Sequence, residues 1–275
     1  MNTALPGGID VFGASDVGRV RDNNEDHFII AGIRKAIDLR QTNLEDRSVF
    51  TALRGAEAQL LVVADGVGGN AGGEIASGTA VSASLEYVAR AAGCFTNFNT
   101  DAEHDFLGEL EKAVHGAHDR VLALATDRTP PATTLTMMTF VWPRGYLVHV
   151  GDSRAMYLHN GRLRILTRDQ TMAEAMVDAG ALTEEQAARS SLSNRLYSAL
   201  GGEEMTPSVG LVDFVPGDVL LLCSDGLTKH VDDARIAAVL GAGGSAEAMT
   251  RTLIADALAG GGTDNVTVIV ARMVG

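Results

Sequence analysis

The sequence predicts an α+β fold, on three observations. Strand-like runs follow one another directly, some are joined by tight hairpin signals, and helical patterns come in pairs instead of alternating singly with strands. A doubly wound α/β chain would alternate regularly; this one does not. No linker, internal repeat or low-complexity tract interrupts the 275 residues, so residues 1–275 are read as a single domain.

Taken in order, the first strands are "DVFGAS" at 10–15 and "HFIIAG" at 27–32, apolar runs containing β-branched or aromatic residues. Residues 33–58 are polar and mixed, an excursion between two core strands to which no chemistry is assigned. "QLLVVA" at 59–64 reads as a buried strand, and helical periodicity follows over 73–91 and 104–125. In the second helix Phe106, Leu110, Val114, Ala117, Val121 and Leu124 recur at three- and four-residue spacing, a stripe that should lie on a sheet. Strands are then expected at 134–142, 146–151, 154–159 and 163–167. Asn160-Gly161 turns the last pair, because both positions of that turn need positive φ. Residues 171–190 read as two short helical pieces, the second opened by a Thr183–Gln186 capping box. Strands at 209–215 and 219–224 meet at Pro216-Gly217-Asp218. Helices at 233–240 and 246–259, the latter capped by Ser245, precede a final strand at 266–274.

Hydrophobic residues at 46% and charged residues at 21% are ordinary for a globular protein. The formal charge of −13 argues against a nucleic-acid backbone or an anionic membrane as partner. No apolar run approaches a membrane span, and "MNTALPGGID" lacks the layout of a signal peptide, so a cytoplasmic location is expected. Cys94 and Cys223 have neither metal-ligand nor disulfide-framework spacing, and Cys223 reads as a buried strand thiol.

The chemistry gathers around "LLVVADGVGGNAGGE" at 60–74. Gly66-Val67-Gly68-Gly69-Asn70-Ala71 satisfies the dinucleotide fingerprint G-x-G-x-x-G/A. A pyrophosphate there would face Asp65 with no basic residue beside it, and no convincing strand ending in an acid follows the helix. The alternative is that the glycines let backbone carbonyls approach a cation. Other acids leave strand ends in the same manner: Asp225-Gly226 after "LLLCS", Asp264-Asn265 before the last strand, and Glu25-Asp26 before the second. Singly, such residues are turn formers. If they converge, two carboxylates about 4 Å apart repel by roughly 4 kcal/mol at an effective dielectric near 20, so cations are required. Ligation by oxygen alone suits Mg²⁺ or Mn²⁺, whereas zinc recruits Cys or His.

An ordered set of motifs carries a resemblance over nearly the whole chain: "SDVGRVRDNNED" at 15–26, "VADGVGGNAGGEIAS" at 63–77, "ATTLT" at 132–136, "VHVGDSRAMYL" at 148–158, "LTRDQT" at 166–171, "LLCSDGL" at 221–227 and "GGTDNVTVIV" at 261–270. The sequence resembles the metal-dependent protein phosphatases (PPM, protein phosphatase type 2C), most closely the bacterial serine/threonine branch. The resemblance implies a four-layer α-β-β-α sandwich of two mainly antiparallel sheets flanked by helices. It implies that Asp65 bridges two ions, Mn²⁺ or Mg²⁺, with the Gly66 carbonyl, Asp225 and Asp264 as further ligands. Glu25, Asp26 and Asn265 would support the ligands, and Arg21 would clamp the phosphate through a planar fork that Lys cannot reproduce. A third metal is implied at Asp127 and Asp169, with Asp225 shared.

The implied activity is hydrolysis of phosphoserine and phosphothreonine in proteins by direct attack of a metal-bridging water or hydroxide, with no covalent phosphoenzyme. The expected partners are phosphorylated protein substrates of a Ser/Thr kinase and the kinase itself, in signal transduction, with the phosphatase a monomer. A related reading is a phosphatase acting on an anti-anti-sigma-type protein, and a reading from another class is a noncatalytic phosphopeptide-binding module. The segment 168–202 resembles the family's flap, where Arg189 and Arg195 read equally as substrate contacts or as solvated charges. Val67 and Asn70 stand where relatives carry histidine, so no general acid is named; Ala132 and Gln170 depart from the family as well. Asp152 in "GDSR" reads as a turn or sheet support, His149 as structural, His115 as facing water, and Arg19 as solvated.

Overall fold

The computed structural model describes residues 8–33, 58–67, 71–91, 100–125 and 130–274. In chain order the strands are β1 (Ile9–Asp16), β2 (Asp26–Ile33), β3 (Ala58–Val67), β4 (Ala132–Thr133), β5 (Leu135–Val141), β6 (Arg144–Val150), β7 (Arg154–His159), β8 (Arg162–Ile165), β9 (Ser208–Asp213), β10 (Val219–Cys223) and β11 (Val266–Met273). The helices are α1 (Ala71–Ala91), α2 (Thr100–Leu122), α3 (Met172–Asp178), α4 (Glu184–Ala188), α5 (Asp225–Thr228), α6 (Asp233–Gly241) and α7 (Ala246–Ala259), with a 3₁₀ turn at Ser191–Asn194. The strands form two antiparallel sheets, one ordered β1-β11-β10-β7-β8 and the other β2-β3-β5-β6-β9, with β4 paired to β3.

Successive side chains of a strand point to opposite faces, and this chain uses both faces. On β3, Leu60, Val62 and Ala64 pack under α1 and α2 with Phe106, Leu110 and Val114, whereas Leu61 and Val63 enter the layer between the sheets. On β10, Leu221 and Cys223 pack under α6 and α7, whereas Leu220 and Leu222 meet Leu61, Met138 and Ile269 in that central layer. A strand apolar on both alternations can be accommodated only between two layers, which is why "QLLVVA" and "VLLLC" carry almost no polar residue. The result is the expected α-β-β-α sandwich. Phe140, Tyr157 and Phe214 fill its middle with tilted and edge-to-face ring contacts 5.1 and 5.2 Å between centroids.

The local signals resolve as their chemistry requires. Asn160 and Gly161 adopt φ of 48° and 72° between β7 and β8. The Thr183–Gln186 box closes in both directions, and Ser245 accepts from the Ala248 amide. One expectation fails: α2 stops at Leu122, so Leu124, assigned to its buried stripe, lies past the helix and is exposed. Cys223 is fully buried, and burial pushes its thiol up to about 12, so it stays protonated. The interior of the 33–58 excursion lies outside the described residues.

Candidate active site

The central layer changes character along its length. Inward-facing positions are apolar in mid-sheet and become polar at one end: Ile30 and Phe28 then Asp26 on β2, Leu61 and Val63 then Asp65 on β3. Leu220 and Leu222 give way to Ser224, and Ala271 and Ile269 to Thr267. The alternation that builds the core therefore aims these groups at one another. The register of β2 on β3 sets Asp26 opposite Asp65, and Ser224 Oγ donates to Asp26 Oδ2 at 2.7 Å from the other sheet.

The backbone of Asp65 is fixed from both sides. Its N–H donates to Thr134 Oγ1 at 2.9 Å, and its carbonyl accepts from the Thr133 hydroxyl at 2.8 Å and the Thr134 amide at 2.9 Å. The glycine that follows is required by a close approach. A Cβ on Gly66 would overlap the Gly73 carbonyl group at the start of α1, and one on Gly226 would overlap the Asn265 carbonyl oxygen. Both Asp-Gly pairs thus mark places where a second backbone passes directly over the strand end.

The remaining residues join at the same end. Asn265 donates from Nδ2 to the Val17 and Asn23 carbonyls, each at 2.9 Å, and accepts from the Glu25 amide at 2.8 Å. It thereby locks the β1–β2 loop, with Arg21 and Glu25, to the loop that carries Asp264. Arg21 forks onto Asp264, Nε to Oδ1 at 2.8 Å and a terminal nitrogen to Oδ2 at 3.1 Å. Asp225 opens α5, and Lys229 bridges from its Nζ to Asp225 Oδ2 at 2.6 Å and Asp264 Oδ2 at 2.7 Å.

The electrostatics match a collection of acids awaiting positive charge. Burial, then the charges of Asp26, Asp225, Asp152 and Asp264, push Asp65 well above the carboxylate range. Burial raises Asp26 to about 7 and Asp152 to about 8, with Asp225 adding to both, and it raises Asp225 as well. Asp264 goes the other way: burial would raise it, but Lys229 and Arg21 together hold it below its ordinary value. Asp26 Oδ1 and Asp225 Oδ1 are buried without a hydrogen-bond partner. Such oxygens are costly unless a cation meets them, and a set made of carboxylates and carbonyls fits Mg²⁺ or Mn²⁺. Among the described residues no three acidic, histidine or cysteine side chains close on a single point as a finished cage. Arg21 and Lys229 stand among the acids instead.

Asp152 is the residue that sequence reasoning missed. The sequence reads it as a turn or sheet support, yet its charge acts on Asp65, those of Asp225 and Asp169 act on it, and it lines a cavity of about 310 Å³ shared with Asp225. The signal was present: "VHVGD" is another apolar strand released at an acid, like "LVVAD" and "LLCSD". Asp169 lines the same cavity, and both its oxygens are engaged by the Arg154 fork at 2.7 and 2.9 Å. Asp127 and Asn70 lie outside the described residues. Across the cavity the flap-like segment contributes Ala173, Glu174, Ala187 and Ala188. Arg189 is spent on Glu185 at 2.9 Å and largely exposed, and Arg195 is exposed. Gln170 clamps the base of that segment, accepting from the Gly151 amide and donating to the Thr206 carbonyl.

His149 and His118 are held by hydrogen bonds away from the acids. His149 is buried, bonded to Thr136 Oγ1 at 2.9 Å and to the Arg168 carbonyl at 3.1 Å, and burial lowers its imidazole to about 4. His118 accepts from the Gly201 amide, and His115 is exposed. Arg19 is also exposed, donating to the Leu258 carbonyl at 2.9 Å. No helix among the described residues is long and apolar enough to cross a membrane.

Comparison with known proteins agrees with this architecture. The sequence pattern of the family described as Protein phosphatase 2C matches residues 39–257. The chain is 36% identical over 264 residues to the serine/threonine protein phosphatase PstP of Mycobacterium tuberculosis, an alignment covering 94% of this chain and 44% of PstP. The chain therefore spans less than half the length of that relative. It superposes on the crystal structure of the M. tuberculosis serine/threonine phosphatase PstP/Ppp with a TM-score of 0.77 at 33% identity, covering 97% of this chain and 99% of that one. The catalytic domain of PstP in complex with two manganese ions gives a TM-score of 0.74 at 32% identity, covering 97% and 99%.

Proposed function

Since the chain belongs to the protein phosphatase 2C family, we infer that it is a metal-dependent hydrolase of phosphoserine and phosphothreonine in proteins. One observation carries the reading: Asp65, Asp225, Asp26 and Asp264 leave four separate strand ends in both sheets near enough for the charges of the other three to act on Asp65, with two buried carboxylate oxygens left unpartnered. In this reading Asp65, the Gly66 carbonyl, Asp225 and Asp264 hold two divalent ions, with Asp152 and Asp225 facing the neighbouring cavity beside Asp169. When bound, the ions supply positive charge that acidifies a water and offsets charge on the phosphoryl group.

The chain's own residues do the rest. Asp264 fixes Arg21 by two of its donors, and the side chain is 44% exposed, so its remaining N–H groups face the solvent side where a phosphate arrives. Asn265 holds that arginine's loop against the acids, so phosphate and ligands are positioned by one amide. Glu25 and Asp26 back the site, Asp26 steadied by Ser224. His149 and His118 are committed to structural hydrogen bonds, which supports a mechanism without a histidine general acid. The domain acts as one catalytic unit in the cytoplasm, as a monomer, on proteins phosphorylated by a Ser/Thr kinase, the kinase included. The charge of −13 and the absence of a membrane-spanning helix among the described residues support that setting.

The test is release of phosphate from p-nitrophenyl phosphate and from a phosphothreonine peptide, with and without Mn²⁺. Metal-dependent release is expected. Asp65→Ala is expected to abolish turnover, and Arg21→Ala to lower kcat/KM by about 10- to 100-fold, mainly through KM. Peptide binding without turnover at any metal concentration would make the chain a phosphopeptide-binding module instead.

A further inference from the structure

Lys229 follows Asp225 by one helical turn, so its side chain lies back over that acid. Its amide donates to the Asp225 carbonyl at 2.9 Å, which fixes the base of the side chain within α5 and its cap. The ammonium then reaches across to the loop before β11 and touches Asp264 as closely as it touches Asp225, at 2.7 and 2.6 Å. The three side chains are 31%, 20% and 18% exposed, so the contact is well sheltered from bulk water. Asp225 uses only Oδ2 for the lysine; Oδ1 is buried and unpartnered. The tethered ammonium therefore reaches one oxygen of each acid, beside Arg21 on Asp264, and leaves Asp225 Oδ1 unmet.

We propose that Lys229 is a resident cation that divalent metal must displace, so that metal loading of this protein is an exchange rather than a simple addition. The inference rests on the two-metal reading of Asp225 and Asp264 given above. The ammonium itself keeps its proton and its charge in the exchange: it gives up two carboxylate partners, and the incoming ion takes them. Two consequences follow from mass balance. The metal-free fold is stabilised because one internal positive charge offsets part of the repulsion between two neighbouring acids. Metal affinity is lowered, because the lysine's contacts must be lost each time an ion binds.

The experiment is Mn²⁺ binding to the metal-stripped full chain, measured calorimetrically, together with the melting temperature in EDTA, for wild type, Lys229→Met and Lys229→Arg. Methionine keeps an apolar stem of similar length and removes the charge; arginine keeps the charge. Lys229→Met is expected to bind Mn²⁺ about tenfold more tightly or better, and to melt several degrees lower in EDTA. Lys229→Arg is expected to stay within about threefold of wild type. Equal or weaker Mn²⁺ binding by Lys229→Met overturns the exchange and leaves the phosphatase reading standing, whereas no Mn²⁺ binding by any of the three proteins overturns both. Should the methionine variant fail to fold, the wild type decides the matter. The lysine-ammonium NMR signal of Lys229 must shift on saturation with diamagnetic Mg²⁺, and a signal that stays in place refutes displacement.

Discussion

Between pH 6.5 and 8 the metal-free protein is expected to lose stability, because its buried acids give up protons that the fold had helped to retain. Burial and then the charges of Asp225 and Asp169 keep Asp152 protonated up to about 8, and burial with Asp225 and Asp264 keeps Asp26 protonated up to about 7, against an ordinary 3.8. A carboxyl raised in the folded state binds more protons folded than unfolded between its two pKa values, so stability falls as pH rises across that interval. His149 works in the opposite sense, since burial lowers it from 6.5 to about 4 and it costs stability only as pH falls below 6.5. Above 6.5 it is neutral folded and unfolded alike, and the acids act alone. One proton held by the fold is worth about 1.4 kcal/mol per pH unit, so roughly 1.5 units at Asp152 and half a unit at Asp26 sum to roughly 3 kcal/mol. For a chain of this length that corresponds to a fall in melting temperature of roughly 6 °C. Asp65, also raised by burial, acts in the same direction. Mn²⁺ binds the ionised acids, so its stabilisation should grow over the same window. Thermal unfolding in EDTA and in saturating Mn²⁺, at pH 6.5, 7.2 and 8, measures both trends. A metal-free melting temperature that is flat or rises, or a Mn²⁺ effect equal at the two ends, would refute the reasoning.

Two further predictions concern how the site is built. Gly226→Ala places a methyl group against the Asn265 carbonyl oxygen, backbone against backbone, so relief requires moving α5 or the Asp264 loop. A loss of more than about 3 kcal/mol is expected in urea unfolding, and an unchanged midpoint would show that the two segments part easily. His149→Gln removes the group that must remain uncharged in the interior. The variant is expected to be about 1–2 kcal/mol less stable at pH 7 but to lose less stability than wild type between pH 6 and 5, read from paired urea titrations.

Much of the fold could be read locally because its strands advertise their burial. "LLVVAD" and "VLLLCSD" are apolar on both alternations, which only a doubly covered sheet accommodates, and the Asn160-Gly161 turn and Ser245 cap depend on neighbours a few residues away. What the local pattern could not supply is which strand ends meet. The pairing of β1 with β11 joins residues about 250 apart, and it is this pairing that brings the Arg21 loop to Asp264. The ordered family motifs stood in for that long-range information. Asp152 taken singly reads as a turn residue or sheet support, and the informative feature is the strand–acid junction it shares with Asp65 and Asp225. Lys229 was invisible for another reason: its partner Asp225 is one turn away, but its second partner, Asp264, is 35 residues distant, and nothing in the spacing announces a bridge.

The placement of the acids is inseparable from the packing of the core. Asp26, Asp65 and Ser224 occupy the same alternation as Phe28, Val63 and Leu222, so each is aimed inward by the register that buries its apolar neighbours. A slip of one residue in β3 would turn Leu61 and Val63 toward the helices and Asp65 with them, since every side chain of a strand changes face together. The apolar stretch therefore supplies the free energy that holds the inward register, and the acids at its end are carried into one another's repulsion by it. That repulsion would be a defect in a protein with no cation to receive. Here it is met in part by Arg21 and Lys229 and leaves Asp26 Oδ1 and Asp225 Oδ1 unsatisfied, which is the condition under which a hard divalent ion binds firmly.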